Sequence, residues 1–137
     1  MKWRAAVDRT VAPLGITHAQ YSVLASLLGM DHRGYEPSQR ELADHTGLDP
    51  LYVSKLARTL EGAGMMSRRA DPDDSRAVRL SLTDAGRDVT RQAVQRVGRL
   101  QEQLTEPWGG RDSARTRRFI HDLQELLTVD IQKEDQP

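Results

Sequence analysis

A predicted helix at residues 50–62 carries side chains that could hydrogen-bond to the edges of DNA bases. At about 100° per residue, Leu51, Lys55 and Arg58 fall on the side opposite the apolar stripe of this helix. Lys55 or Arg58 could donate to O6 and N7 of guanine, while Leu51 could touch a thymine methyl. Two flanking side chains could contact phosphate or a base edge: Tyr52 and Ser54. The alternative, an ordinary solvated helix face, accounts for the cations better than for Leu51 and Tyr52.

Two helix starts near this face could offer backbone N–H groups to phosphate. Residues 38–41, SQRE, have the pattern of a capping box. Asp49 and Pro50 have the pattern of an N-cap acid followed by proline at the first helical position. Because the first N–H groups of a helix lack intrahelical acceptors and the dipole is positive there, we expect Ser38, Gln39 and Pro50 to lie at phosphates.

The helix at 50–62 follows a short helix and a tight turn at the spacing of a helix-turn-helix unit. Ala43, Gly47 and Val53 occupy the positions A-x3-G-x5-V. The small residue lets two helices cross closely, the glycine makes the turn, and the valine anchors the second helix. The supporting core residues are Leu42, Leu48 and Leu56. Taken alone, this spacing also fits a plain helical hairpin, so the neighbouring elements must decide.

A β-hairpin is predicted directly after this unit. Residues 65–70 and 77–82 have the pattern of two short strands, because Val78, Leu80 and Leu82 alternate with polar residues. The sequence between them is DPDDS, which is typical of a turn. Helix, short helix, turn, helix and hairpin in this order predict a winged helix-turn-helix lobe. The expected fold is therefore mainly α with a small β-hairpin wing.

Further helices are predicted on both sides of this lobe. The first covers residues 2–12, and the next begins with a capping box at Thr17 and Gln20. A long helix capped by Thr83 and a last helix at about 112–131 end the chain. The last two helices carry more apolar surface than one small lobe can bury, so we expect a partner to cover them.

Composition limits what the chain can be. Its 137 residues suffice for one domain, and the absence of cysteine excludes disulfides, thiolate metal sites and thiol redox sensing. No apolar run approaches the roughly 18–20 residues of a membrane span, and MKWRAAVDRT does not resemble a signal peptide, so we expect a cytoplasmic location. Net charge is zero, with 20 basic and 20 acidic residues. This balance counts mildly against nucleic-acid binding, so charge placement must supply any DNA-binding face.

Catalytic and metal-binding patterns do not occur in the sequence. It contains no P-loop, G-x-S-x-G or G-x-G-x2-G motif, and the paired acids Asp73 and Asp74 lie in a predicted turn. The four histidines show no H-x3-H or H-E-x2-H spacing, although they could still converge in space. We therefore predict no enzymatic activity, no metal site and no cofactor.

With these residues in view, the chain resembles the MarR family of bacterial transcriptional regulators across nearly its full length. The matching segments are ITHAQYSVLASL, SQRELADHTGLDPLYVSKLARTLEGAGMMSRRADPDDSRAVRLSLTDAGR and the two long C-terminal helices. The most specific part is the wing, where the family has D-x-R at the tip and L-T-x-x-G at the next helix start. The matching residues are Asp74-Ser75-Arg76 and Leu82-Thr83-Asp84-Ala85-Gly86.

The resemblance implies that Arg76 enters a minor groove beside the site read by the helix at 50–62, with Asp74 holding it in position. Asp71 and Asp73 are then expected to shape and solvate the turn. The resemblance also implies a homodimer and a repressor. Since a two-fold dimer presents its recognition helices about 34 Å apart or a multiple of that, we expect a pseudo-palindromic operator in double-stranded DNA.

The resemblance also implies how the chain is divided into regions. Residues 1–137 form a single MarR-like domain, with a winged helix-turn-helix lobe at 17–82 and a helical dimerisation region at 1–14 and 83–131. The competing function is a winged-helix protein-interaction module that does not bind DNA, and the zero net charge favours it.

A small aromatic or phenolic effector is a further implication of the resemblance, and such a ligand could release the DNA. Trp3, His18 and Tyr21 could line a cleft for it. Ordinary core packing is the alternative for these three residues, and the sequence does not name a ligand.

Overall fold

The structure, a computed structural model, describes residues 2–129 and consists of six α-helices and a two-stranded hairpin. In chain order the elements are α1 (Trp3–Val11), α2 (His18–Asp31), α3 (Gln39–Thr46), α4 (Pro50–Gly62), β1 (Met66–Ala70), β2 (Val78–Leu82), α5 (Asp84–Thr105) and α6 (Ala114–Leu127). Short 3₁₀ turns at Ala12–Leu14 and Glu106–Trp108 follow α1 and α5. The described residues fall into two compact units, and the boundary between them in the chain lies between Val97 and Gly98.

The helix-turn-helix prediction is confirmed. Ala43 and Val53 are buried, and Gly47 ends α3 in the left-handed conformation with φ 71°, where its N–H donates to the Ala43 carbonyl at 2.9 Å. A side chain at Gly47 would be strained in this conformation, which explains the glycine. The apolar stripe of α4 faces the core as expected through Val53, Leu56, Ala57 and Leu60.

The predicted hairpin is also confirmed, and each strand is one residue shorter at its start than the sequence suggested. β1 and β2 pair antiparallel, with Met66 opposite Leu82 and Ala70 opposite Val78. The segment before α3 joins this sheet by a single bridge between Ser38 and Arg79, an addition that no sequence pattern indicated. It brings the wing against the start of α3.

One of the two predicted capping boxes is complete and the other is not. At α2 the Thr17 hydroxyl accepts the Gln20 N–H at 3.2 Å, and the Gln20 side chain accepts the Thr17 N–H at 2.9 Å. At α3 the Ser38 hydroxyl accepts the Glu41 N–H at 3.1 Å, but the reciprocal bond is absent from the described residues. The prediction of a full box was wrong there because the Glu41 carboxylate faces Arg79 instead.

The start of α5 is fixed against the turn between α4 and β1. The Thr83 hydroxyl donates to the Gly64 carbonyl at 2.6 Å and accepts the Gly86 N–H at 3.0 Å, so Thr83 caps the helix as predicted. A Cβ at Gly86 would lie 1.9 Å from the Met65 carbonyl oxygen. The glycine of L-T-x-x-G is thus required because backbone occupies the space of a side chain.

An ion pair joins the end of α2 to the start of α5. Arg87 Nε donates to Asp31 Oδ2 at 2.7 Å, and Arg87 Nη1 donates to Asp84 Oδ1 at 2.9 Å. The hydrogen bond from Arg87 lowers the pKa of Asp31, and Asp31 raises the pKa of Arg87. This pair holds α5 in a defined direction as it leaves the wing.

In the second unit, Ser113 caps the start of α6, and its hydroxyl accepts the Thr116 N–H at 3.2 Å. The Trp108 and Phe119 rings meet edge to face at 5.1 Å, and Arg115 lies 4.9 Å from the Trp108 ring centre. The predicted last helix at 112–131 ends at Leu127, and its predicted final residues 130 and 131 lie outside the described part. Large apolar side chains on this unit remain exposed: Leu104, Phe119, Ile120, Leu123, Leu126, Leu127 and Val129.

Between residues 2 and 129, none of the helices combines the length and apolar character needed to cross a membrane.

We expect Gly86→Ala to destabilise the protein by about 1–3 kcal/mol, because the new methyl group collides with the Met65 carbonyl. Urea unfolding followed by circular dichroism measures the change. Gly29→Ala is the matched control, since Gly29 is exposed in α2 with nothing within 4 Å of a Cβ. It should stabilise by roughly 0.5–1 kcal/mol. Equal effects of the two substitutions would contradict the close approach at Gly86.

Candidate nucleic-acid interface

The outward face of α4 is exposed along its length. Leu51 is 83% exposed, Tyr52 is also exposed, and Ser54 is half-buried. Lys55 and Arg58 are exposed on the same face. Two exposed apolar side chains, Leu51 and Tyr52, thus lie on the same helix as two exposed cations, a combination that suits a contact surface.

The start of α3 is the better of the two predicted phosphate positions. The N–H groups of Gln39 and Arg40 belong to the first helical turn and have no intrahelical acceptor. Ser38 is buried with its hydroxyl used as the cap, and the Gln39 side-chain oxygen accepts from Arg68 Nε at 3.2 Å. The backbone here is therefore held firmly by side-chain contacts.

The start of α4 is less suited to phosphate than the sequence suggested. Asp49 Oδ1 accepts the N–H groups of Leu51 and Tyr52 at 2.9 and 3.3 Å. The Asp49 carboxylate thus takes the donors that a phosphate would need, and its negative charge repels phosphate. Pro50 itself has no N–H, so the expectation of a phosphate at Pro50 is not supported.

The wing tip is organised by Asp71. Its Oδ1 accepts the N–H groups of Asp73 and Asp74 at 2.8 and 3.1 Å, and its own N–H donates to the Ala77 carbonyl at 3.0 Å. The expectation that Asp71 shapes the turn holds, but the expectation that it solvates the turn was wrong. Its side chain is only 5% exposed, because Arg79 covers it.

Arg79 joins three segments of the chain. Its Nε donates to Asp71 Oδ2, and its Nη1 donates to the Glu36 carbonyl at 2.9 Å and to Glu41 Oε1 at 3.4 Å. The N–H of Asp73 and then the Arg79 guanidinium hold the pKa of Asp71 below its ordinary value, although burial opposes this. Asp71 in turn raises the pKa of Arg79. The alternation of apolar and polar residues predicts only that Arg79 lies on the polar side of a strand.

The Asp74 side chain holds Arg76 by the backbone N–H of Arg76. Asp74 Oδ1 accepts the Arg76 N–H at 3.0 Å, while the distance from Asp74 Oδ1 to Arg76 Nε is 4.0 Å. The Arg76 side chain is 95% exposed. The carboxylate therefore fixes where the arginine leaves the chain, and the guanidinium stays free to reach outward.

A cleft of about 980 Å³ separates the starts of α3 and α4 from the wing. Its charged lining consists of three arginines and five acids: Arg40, Arg76, Arg79, Glu41, Asp44, Asp71, Asp73 and Asp74. Of the arginines, Arg40 and Arg76 are exposed, whereas Arg79 is held by acids. Arg40 and Arg76 are thus the cleft cations that a phosphate backbone could meet.

Arg40 is a candidate contact that the sequence analysis missed. It lies in the first turn of α3, is exposed, and lines the cleft. Its position two residues after the Ser38 cap was the available signal, because a cation beside free N–H groups strengthens an anion site.

One group of possible metal ligands occurs in the described part of the chain, away from this interface. His121, Asp122 and Glu125 bring their ligand atoms within 4.8 Å of one another on α6, and all three are exposed. His121 and Glu125 lie one helical turn apart, 3.4 Å between Nε2 and Oε1. A surface ion pair explains this geometry.

The comparisons with known proteins agree with this architecture. The model of the MarR family matches residues 16–78. An uncharacterized HTH-type transcriptional regulator of Bacillus subtilis (strain 168), YdcH, is 30% identical over 125 residues, which are 91% of this chain and 82% of YdcH. The chain belongs to the MarR family.

Solved structures of MarR-family regulators show the same fold. A mutant MarR from E. coli complexed with operator DNA is 25% identical and superposes with a TM-score of 0.75, covering 93% of this chain and 86% of that one. The PcaV transcriptional regulator from Streptomyces coelicolor, in complex with its natural ligand, is 27% identical with a TM-score of 0.67. The superposition covers 82% of this chain and 74% of PcaV. The MarR fold of this chain is thus mainly α with a hairpin wing.

We expect the stabilising effect of the Asp71 carboxylate to disappear in acid. Because its pKa is lower in the folded state, its contribution is present above the unfolded value of about 3.9 and is lost as pH falls through the folded pKa. The difference in unfolding free energy between wild type and Asp71→Asn should therefore shrink below about pH 4. Urea unfolding at several pH values measures it.

Asp73→Asn serves as the control for this titration, because the Asp73 side chain is exposed and accepts none of the hydrogen bonds within the tip. Its unfolding free energy should follow that of wild type across the pH range. A constant gap between wild type and Asp71→Asn down to pH 3 would contradict the assigned role of Asp71.

Proposed function

We propose that this MarR-family chain is a sequence-specific DNA-binding transcriptional regulator that acts as a homodimeric repressor on a pseudo-palindromic operator. The observation that carries the proposal is the presence of two exposed features in the lobe. These are the outward face of α4, with Leu51, Lys55 and Arg58, and the wing tip with Arg76. One cleft is lined both by Pro50, the first residue of α4, and by Arg76, so the two elements lie beside the same space.

In this proposal α4 enters the major groove. Lys55 or Arg58 donates to guanine O6 and N7, Leu51 meets a thymine methyl, and Tyr52 and Ser54 contact phosphate or a base edge. The backbone at Ser38 and Gln39, together with Arg40, binds phosphate at the start of α3. Arg76 enters the adjoining minor groove, and Asp74 fixes its backbone. Pro50 marks the start of the recognition helix and supplies no donor.

The exposed apolar side chains of the second unit support the homodimer. Phe119, Leu123 and Leu126 follow one another at spacings of four and three residues along α6, and all are exposed. Such an apolar row in water indicates an interface. We propose that residues 1–14 and 83–131 form the dimerisation region around a lobe at residues 17–82, the whole chain being one MarR-like domain.

Effector binding and cellular location complete the proposal. PcaV was solved with its natural ligand, and by analogy we propose a small aromatic or phenolic effector for this chain. Trp3, His18 and Tyr21 are half-buried, a degree of burial that suits either a ligand cleft or core packing. A repressor acts on DNA in the cytoplasm and needs neither catalysis nor a cofactor, so we propose a cytoplasmic protein without enzymatic activity.

A winged-helix module that binds protein rather than DNA is the second candidate. The zero net charge and the five acids in the cleft favour it. Against it stand Lys55 and Arg58, which are exposed on α4 and do not belong to the acidic cleft lining, and Arg76, whose side chain is 95% exposed.

Salt dependence separates the two candidates. A dimer that makes six to ten phosphate contacts should lose about 10³- to 10⁵-fold in affinity for its operator between roughly 50 and 200 mM salt. Fluorescence anisotropy with labelled duplexes from the DNA upstream of the gene measures this loss, and shuffled duplexes of equal length are the control. Absence of binding, or an affinity that does not change with salt, would favour the protein-interaction module.

A further inference from the structure

The direction of Arg76 depends on the backbone of the wing tip. Its guanidinium is 95% exposed and lies 4.0 Å from the Asp74 carboxylate. A flexible arginine held this loosely loses rotamer entropy when it enters a groove. The position of its Cα therefore decides whether the side chain reaches the duplex that α4 engages.

Hydrogen bonds lead from Arg76 back to Asp71. The Arg76 N–H is accepted by Asp74, and the Asp74 N–H is accepted by Asp71 at 3.1 Å. The Asp71 N–H and the Ala77 carbonyl close the tip at 3.0 Å. Asp71 is the one carboxylate among these that is buried, so it is the fixed point of the tip.

Arg79 connects this fixed point to α3. Its Nε donates to Oδ2 of Asp71, the carboxylate oxygen that the tip N–H groups do not use. Its Nη1 donates to the Glu36 carbonyl and to the Glu41 carboxylate on α3. The wing tip and the helix-turn-helix unit thus share one guanidinium. Arg79 is 28% exposed, and its Nε and Nη1 donate to Asp71, the Glu36 carbonyl and Glu41. Contacting DNA through these two nitrogens would therefore require it to leave these partners.

We propose that Arg79 is a positioning residue for DNA binding. It holds the wing tip at a fixed place relative to α3, so that Arg76 and the outward face of α4 engage one duplex together. Its effect on affinity passes through Arg76. This inference rests on the DNA-binding function proposed above and adds to it a residue that does not touch DNA.

A double-mutant cycle tests the proposal. Operator affinity is measured for wild type, Arg76→Ala, Arg79→Gln and the double variant. In the wild-type background Arg79→Gln should lower affinity about tenfold per half-site, because the wing loses its position. In the Arg76→Ala background the same change should cost less than about twofold. Additive losses would overturn the proposal, since they would mean a direct phosphate contact or a general loss of structure.

Arg69→Gln is the matched control. Arg69 pairs opposite Arg79 across the wing and binds the Glu36 side chain, but it is exposed and its hydrogen bonds do not reach Asp71 or Asp74. The Arg69→Gln substitution removes the same charge from the same hairpin. A loss as large as that of Arg79→Gln would assign the effect to charge or to the Glu36 contacts that both arginines make, and would overturn the positioning role.

Arg79→Lys covers the case in which Arg79→Gln does not fold. Lysine keeps the charge but not the planar set of donors, so a partial loss of affinity that disappears in the Arg76→Ala background supports the proposal. A partial loss that persists there overturns it. Circular dichroism confirms folding of each variant.

The experiment also separates failure of the proposed function from failure of this inference. If wild type itself binds no duplex, the proposed function fails. If wild type binds and Arg79→Gln binds equally well, this inference alone fails.

Discussion

The wing of this protein keeps its place because one arginine is shared between the hairpin tip and the helix-turn-helix unit. Arg79 reaches Asp71, the Glu36 carbonyl and Glu41 at once. Asp71 then holds the tip backbone from which Arg76 projects. A two-stranded hairpin is marginal on its own in water. Met66, Leu80 and Leu82 are buried and join the hairpin to the core of the lobe. The Arg79 contacts and the bridge between Ser38 and Arg79 fix it against the start of α3.

The acids of the tip, in a chain of zero net charge, agree with DNA binding once their partners are known. Asp71 and Glu41 face Arg79, and Asp49 caps α4. These carboxylates help to build the candidate interface, while Arg40 and Arg76 stay exposed beside them. The arrangement gives attraction at chosen positions without a general basic patch, which disfavours sequence-independent binding.

Local patterns in the sequence predicted the elements and much of the interface. The apolar stripe of α4, the Gly47 turn, the Thr17 cap and the alternation of β2 are all set within a few residues, so they could be predicted without tertiary structure. The Ser38 bridge and the partner of Glu41 depend on Arg79, which lies 41 and 38 positions away in the chain. The burial of Asp71 depends on the same arginine, 8 positions away across the closed hairpin. Asp71 looked like a solvated turn residue because Arg79 covers it only after the hairpin closes.

The most direct measurement places a cutting reagent on the wing tip. The chain has no cysteine, so Ser75→Cys offers a single thiol for an iron chelate that cleaves nearby DNA. If the wing and α4 form one DNA-binding face in a two-fold dimer, cleavage should occur in two minor-groove clusters related by the operator dyad. Binding without cleavage, or one cluster without a symmetric partner, would contradict this account.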